Sequence, residues 1–162
     1  MLAAIRDFFE RNIAGPGRDE PEPRALQLAT AALLIEVARI DRDLDERERA
    51  VVLRAVSDKF GLSAGEADEI ARLAEDEMRA ANDYFQFTSL INRSFGQPQK
   101  IRVVELMWEV AYASDGIDAH ERHLLRRIAD LLHVPHGDYV AAQARARQAA
   151  TGDTTPGTTP PR

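Results

Sequence analysis

Cysteine is absent from the chain, which excludes a disulfide framework, a thiol nucleophile and a zinc site built on thiolates. There is no excess of positive charge either: Lys and Arg number 21 against 27 Asp and Glu, for a net charge of -6. A protein that grips a phosphate backbone needs a basic face to displace counterions, so nucleic acid is not an expected partner. The richest apolar run, Ala29 to Val37, is broken by Glu36 and falls well short of the roughly 20 residues a spanning helix needs. The opening residues Arg6, Asp7, Glu10 and Arg11 place charge where a signal peptide needs its apolar stretch. These features predict a cytoplasmic chain with no transmembrane segment. Strand signals are nearly missing, with no sustained two-residue alternation and no Asn-Gly or Asp-Gly turn between β-branched runs. There is no phosphate-binding loop, dinucleotide glycine pattern or Gly-x-Ser-x-Gly elbow.

What remains is helical. The 162 residues, 44% hydrophobic and 30% charged, suit one soluble domain. Residues 1–14 read as an amphipathic N-terminal helix, with Leu2, Ile5, Phe9 and Ile13 spaced three to four apart and Phe8 beside them. That helix either folds back onto the body or meets a partner or membrane surface. Residues 15–23, with two Gly, three Pro and mostly charge between them, read as a linker. Residues 24–150 carry helical patterns throughout, and 151–162 are Thr, Pro and Gly with too little apolar surface to offset ordering, which predicts a disordered tail. Segments 24–40 and 101–113 are apolar nearly all round and belong mid-bundle. Segments 46–60 and 119–132 are amphipathic. An Ala-rich segment 64–82, a short aromatic one over 84–95, and a weakly packed closing helix over 136–150 complete an all-α bundle of about seven to eight helices.

One internal repeat organises this body. Glu36-Val37-Ala38, Asp45 and Glu48-Arg49 recur 73 residues later as Glu109-Val110-Ala111, Asp118 and Glu121-Arg122. Each copy is a buried helix, an acidic turn and an amphipathic helix, so the domain is expected to contain two pseudo-repeated helical hairpins. Alternating carboxylates in the turns suit a hard cation, calcium, magnesium or manganese, that prefers oxygen ligands. The candidate metal ligands are Asp41, Asp45 and Glu48 in the first copy and Asp115, Asp118 and Glu121 in the second. The first turn is not an EF-hand, because Glu46 and Val52 stand where that loop needs Gly and Glu. Capping explains the same residues at least as well. Asp followed three residues later by Glu is a capping box, and Ser63 with Glu66 repeats it where no metal is suspected.

Two further features call for partners. Glu36 and Glu109 interrupt apolar helices at the same repeat position, and a buried carboxylate needs a proton, a cation or backbone donors. They are either ligands at a pocket floor or structural groups satisfied by an Arg or by a neighbouring turn, and the structural alternative is the stronger. His120, His123, His133 and His136 form no zinc motif and read as surface and helix-end residues. No catalytic residue and no organic cofactor pocket is assigned.

A buried helix running into an Ala-Asp-Gly-like turn, then an apolar residue, Asp and Glu, twice over, resembles the TerB-like family associated with tellurite resistance. The stretch from Met107-Trp108-Glu109-Val110-Ala111-Tyr112-Ala113 to Leu131-Leu132-His133-Val134-Pro135-His136 is particularly similar to the bacterial stand-alone members. The resemblance covers roughly residues 24–148. A related domain occurs on the N-terminal side of the membrane-anchored co-chaperone DjlA, but this chain carries no His-Pro-Asp tripeptide, so J-domain activity is not implied. The resemblance implies an all-helical domain with an acidic surface, divalent-cation binding, and a bacterial stress role as an assembly module near membrane proteins. Asp45, Glu48, Asp118 and Glu121 match the family pattern. Arg42 replaces the turn Gly of the first copy, and in the second Ser114 and Asp115 occupy the Asp and Gly places. The expected function is therefore a non-enzymatic module that binds a protein partner, cytoplasmic or peripheral to the inner membrane, with a cation assisting. The alternative is a metal-dependent enzyme using the same carboxylates on a phosphate-containing substrate.

Overall fold

The computed structural model describes residues 2–13, 23–41, 44–79, 85–113 and 119–151. Among them are eight helices and no strand: α1 Leu2–Asn12, α2 Pro23–Ile40, α3 Glu46–Phe60, α4 Ala64–Arg79, α5 Gln86–Ser94, α6 Gln97–Ala113, α7 Ala119–Leu131 and α8 His136–Thr151. The all-α bundle expected from the periodicity is what forms. Apart from the helical Pro23 and Thr151, the linker 15–23 and the tail 151–162 lie outside the described residues.

Central position follows from the apolar pattern. Helix α2 is buried from Ala25 to Ala38 with few breaks and touches α1, α3, α4, α5, α6 and α7. Helix α6 packs on α2 and contributes Val103, Val104, Met107 and Trp108 to the same core. Helices α3 and α7, each with one apolar stripe, bury Val52, Val56 and Phe60 and Leu124, Leu125 and Ile128. The repeat thus becomes two hairpins, α2–α3 and α6–α7, joined through the α2–α6 contact.

Turn chemistry sets the helix ends. Gly61 ends α3 at φ 62 with its N–H donating to the Ser57 carbonyl, and the Leu62 N–H reaches the same oxygen at 3.0 Å. Only glycine adopts that left-handed conformation without a Cβ penalty. Helix α7 ends the same way on His133, at φ 61, with the Val134 N–H bonded back to Ala129 at 3.0 Å. Helix α6 starts four residues before its apolar pattern does, because Pro98 is tolerated in a first turn, where its missing N–H has no partner to lose.

Closing helix α8 is not weakly packed. Its small residues Ala142 and Ala146 are fully buried and let its backbone run close along α6, while the Tyr139 ring lies 5.5 Å from that of Trp108. The alanines that gave the sequence little apolar bulk are what permit the close approach.

Helix α1 folds back onto the body. Ile5, Phe8, Phe9 and Ile13 are all buried to 2% exposure or less. The Phe8 ring meets Phe87 of α5 edge-on at 5.9 Å, and Phe9 lies 6.3 Å from Phe95. Truncating a buried phenylalanine costs about 3–5 kcal/mol. Phe8→Ala is accordingly expected to lower the melting temperature by roughly 10 °C in a thermal denaturation scan. An unchanged melting temperature would place α1 outside the cooperative unit.

Candidate functional site

The first acidic turn is built by reciprocal backbone capping. Asp45 stands at the N-cap of α3 in extended conformation. Its Oδ1 accepts the Glu48 N–H at 2.8 Å, and Glu48 Oε1 accepts the Asp45 N–H at 2.9 Å. Asp41 follows α2 and is buried, its N–H bonded to the Val37 carbonyl at 2.9 Å. Arg49 closes the same helix end, donating Nε to the Ala38 carbonyl at 3.0 Å and Nη2 to the Asp41 carbonyl at 3.1 Å. A guanidinium there satisfies orphan carbonyls and opposes the negative end of the α2 dipole. Arg49 was visible in the repeat only as a matched letter, and its capping role was not read from it.

Of the other candidate ligands, Asp115 and Asp118 lie outside the described residues, and so does the side chain of Glu121. Among the described residues no three His, Asp or Glu side chains are grouped as a metal centre. His123, His133 and His136 are exposed and sit on separate turns. The Ser63–Glu66 box forms as its spacing predicts, with bonds of 2.9 and 3.0 Å.

The two repeat glutamates part company. Glu109 is a surface-edge group, with Arg102 at 3.4 Å and Lys59 at 4.0 Å. Glu36 is fully buried and holds the N-terminus of α5. Its Oε2 accepts the Phe87 N–H at 2.8 Å, and its Oε1 accepts the Thr88 N–H at 3.2 Å and the Thr88 hydroxyl at 3.0 Å. The N-cap residue of α5, Phe85, offers no capping side chain, so the acceptors come from other helices. Glu77 of α4, also fully buried, completes the turn by accepting the Gln86 N–H at 2.8 Å.

Burial pushes the Glu36 carboxyl well above the usual carboxylate range, and its hydrogen bond to Glu77 and that group's negative charge add to the rise. Burial raises Glu77 as well, opposed by its hydrogen bond to Glu36 and by the Gln86 N–H. Burial thus favours the protonated form of both carboxyls, Glu36 the more strongly, and the buried Glu77 Oε1 accepts no N–H bond from the described residues. Two neighbouring carboxyl groups are the chemistry of acid–base dyads, but no substrate reaches a pair with no exposed surface. Glu77 escaped the sequence reading because α4 was judged by its larger apolar residues. The signal was there: Glu77 falls on the stripe of Ile70 and Ala74, both fully buried.

Beside α5 lies an open groove of about 510 Å³ shared with α7. Phe85, Leu131, Ser89, Asn92, Arg127 and Asp130 contribute to its walls. Asn92 Nδ2 donates to the Leu131 carbonyl at 2.9 Å, which leaves its buried Oδ1 without a donor.

The carboxyl pair makes stability depend on pH. Both folded values lie above the unfolded ones, so the contribution is fully present below the ordinary carboxylate range and is lost as pH rises through the folded values. Glu77→Gln keeps an acceptor for Gln86 and supplies a permanent donor to Glu36. It should flatten the decline in melting temperature between pH 5 and pH 8 that the unmodified protein shows. Glu36→Ala orphans three buried donors and is expected to cost about 3 kcal/mol or more. A pH profile identical in E77Q and the unmodified protein would show that the two groups titrate independently.

Comparison with curated proteins and with solved structures yields no match. The family model described as "Tellurite resistance protein TerB" matches residues 27–144, a span that runs from the second turn of α2 to the middle of α8. With most of its length and both repeat hairpins inside that match, the chain belongs to the TerB family of tellurite resistance proteins.

Proposed function

We propose that this TerB-family chain is a non-enzymatic interaction module of the bacterial tellurite and stress response, which docks a protein partner from the cytoplasm, at or near a membrane protein. The observation that carries the reading is where the acidic groups are spent. Glu36 and Glu77, the pair best suited to acid–base chemistry, are sealed in the core and hold α5. Asp45 and Glu48 hold the start of α3. These carboxylates serve architecture, which leaves recognition to the surface. The competing reading, an enzyme acting on a phosphate-containing substrate, needs cationic side chains presented beside the turn. Two of the arginines beside the turn are already engaged, Arg39 by Glu46 and Glu75 and Arg49 by Glu46 and the α2 carbonyls.

A divalent cation, calcium, magnesium or manganese, belongs to the proposal as an assistant at the acidic turns, through Asp41, Asp45 and Glu48 and their repeat partners Asp115, Asp118 and Glu121. A carboxylate offers about four acceptor sites, so a capping bond and a cation can share one side chain.

Melting temperature measured with and without millimolar cation tests this. A ligand at ten times its dissociation constant stabilises the native state by about 1.4 kcal/mol, or roughly 3–5 °C here. Gln still accepts a capping bond but is a poor ligand for a hard cation. The variant carrying Glu48→Gln and Glu121→Gln should therefore lose the gain while costing about 1 kcal/mol or less per site. No response to any of the three cations in the unmodified protein would remove the cation from the proposal. Turnover of a phosphate ester that depends on the cation and on Glu48 would replace the module with the enzyme.

A further inference from the structure

We propose that the groove between α5 and α7, together with the basic outer face of α7, docks an extended acidic polypeptide segment bearing one apolar anchor residue. The inference rests on the partner-binding reading above and gives that partner a place and a chemistry. Arg122, His123, Arg126 and Arg127 are all exposed on α7, in two pairs four residues apart that form one stripe along the helix. Among the described residues none of the three arginines lies within 4 Å of a carboxylate. Arg126 and Arg127 are held instead by aromatic faces, 5.9 Å above the Tyr139 ring and 5.7 Å above the Phe85 ring. Stacking restrains a guanidinium through its plane and leaves its edge, which carries the N–H donors, for a carboxylate. The two guanidinium groups are thus ordered before any partner arrives, which lowers the entropy lost on binding.

Phe85 and Arg127 belong both to this stripe and to the groove, so the charged face and the cavity are continuous. Phe85 and Leu131, each half-buried, give the groove apolar wall for one anchor side chain. Asn92 is fixed by its bond to the Leu131 carbonyl and ties the α5 wall of the groove to the end of α7. Asp130 also lines the groove and repels a carboxylate there, so the anchor position must be uncharged. The 13 residues of α7 run about 20 Å, the length of roughly six extended residues. The chain's net charge of -6 repels an acidic segment elsewhere on the molecule and so favours this face. A nucleic-acid strand fits less well, because it carries a charge at every nucleotide and Asp130 in the groove repels a phosphate at the anchor position.

The test is a titration of the ¹⁵N-labelled full chain, followed by amide resonances. The probe is a capped 12-residue peptide of Asp and Glu with one central Leu. Controls are the same peptide with Asn and Gln, and a single-stranded oligonucleotide of equal charge. The acidic peptide should shift amides of α5 and α7, with affinity falling several-fold from 50 to 300 mM salt. The variant R122Q/R126Q/R127Q, altered only at exposed positions, should keep its melting temperature and bind at least tenfold more weakly. Ser89→Glu, which puts a negative charge into the groove, should weaken binding without touching the stripe. Absence of shifts on α5 and α7, undiminished binding by the triple variant, or a stronger response to the oligonucleotide than to the peptide would each overturn the proposal. Failure here alongside capture of a protein partner that survives the triple variant would sink this surface and leave the module reading standing.

Discussion

The first turn of α5 lies inside the protein, and its N–H groups need acceptors that its own sequence does not supply. A buried unsatisfied N–H costs about 1–3 kcal/mol, and the chain meets three of them with Glu36 from α2 and Glu77 from α4. Much of the remaining architecture depends on this arrangement. Helix α5 presents Phe87 to Phe8 and so anchors α1, and its Phe85, Ser89 and Asn92 form one wall of the open groove. A glutamate in the middle of the most apolar helix is the cost of orienting a neighbouring helix, and burial, which raises both carboxyls, favours the neutral form that such a site tolerates.

Much of this fold is legible in the sequence, because periodicity reports directly on how many faces a helix buries. The all-round apolar character of α2 and α6 predicts their central place, and the single stripes of α3 and α7 predict theirs. Local chemistry is equally readable: Asp45 with Glu48 and Ser63 with Glu66 form the boxes their spacing requires. Partners far apart in sequence are not readable in this way. Glu77 meets Glu36 across 41 positions, and neither residue type nor spacing names the other. Helix α8 hid its packing behind alanines, whose contribution is close approach and not bulk.

The repeat shows why sequence symmetry is a weak guide to role. Glu36 and Glu109 occupy the same position in matching helices, yet one is fully buried and the other pairs with Arg102 and Lys59. The difference lies in what each helix packs against. α2 is covered by α5, whose open N-terminus demands acceptors, whereas α6 is covered by α8. Helix α1 adds a second asymmetry. It falls outside the matched span 27–144 yet inserts four side chains into the core, so the hydrophobic core of this chain extends beyond the part that carries the family pattern.

Charge is distributed in the same uneven way. The acidic helix α4 is bound to its neighbours by Arg11 of α1, Arg24 of α2 and Arg39 of α2, which meet Glu69, Glu66 and Glu75. Pairs of this exposure contribute about 1 kcal/mol or less each, so their effect is mainly to fix where α4 lies, and with it Glu77. Arg24 also donates to the Phe60 carbonyl at 2.6 Å, so one side chain links the start of α4 to the end of α3. These three carboxylates of α4 are paired from within, whereas Arg126 and Arg127 of α7 stack on rings and meet no carboxylate among the described residues. The chain thus fixes α4 through its carboxylates and holds two arginines of α7 through aromatic faces, so different charges serve the packing of helices and the ordering of the surface.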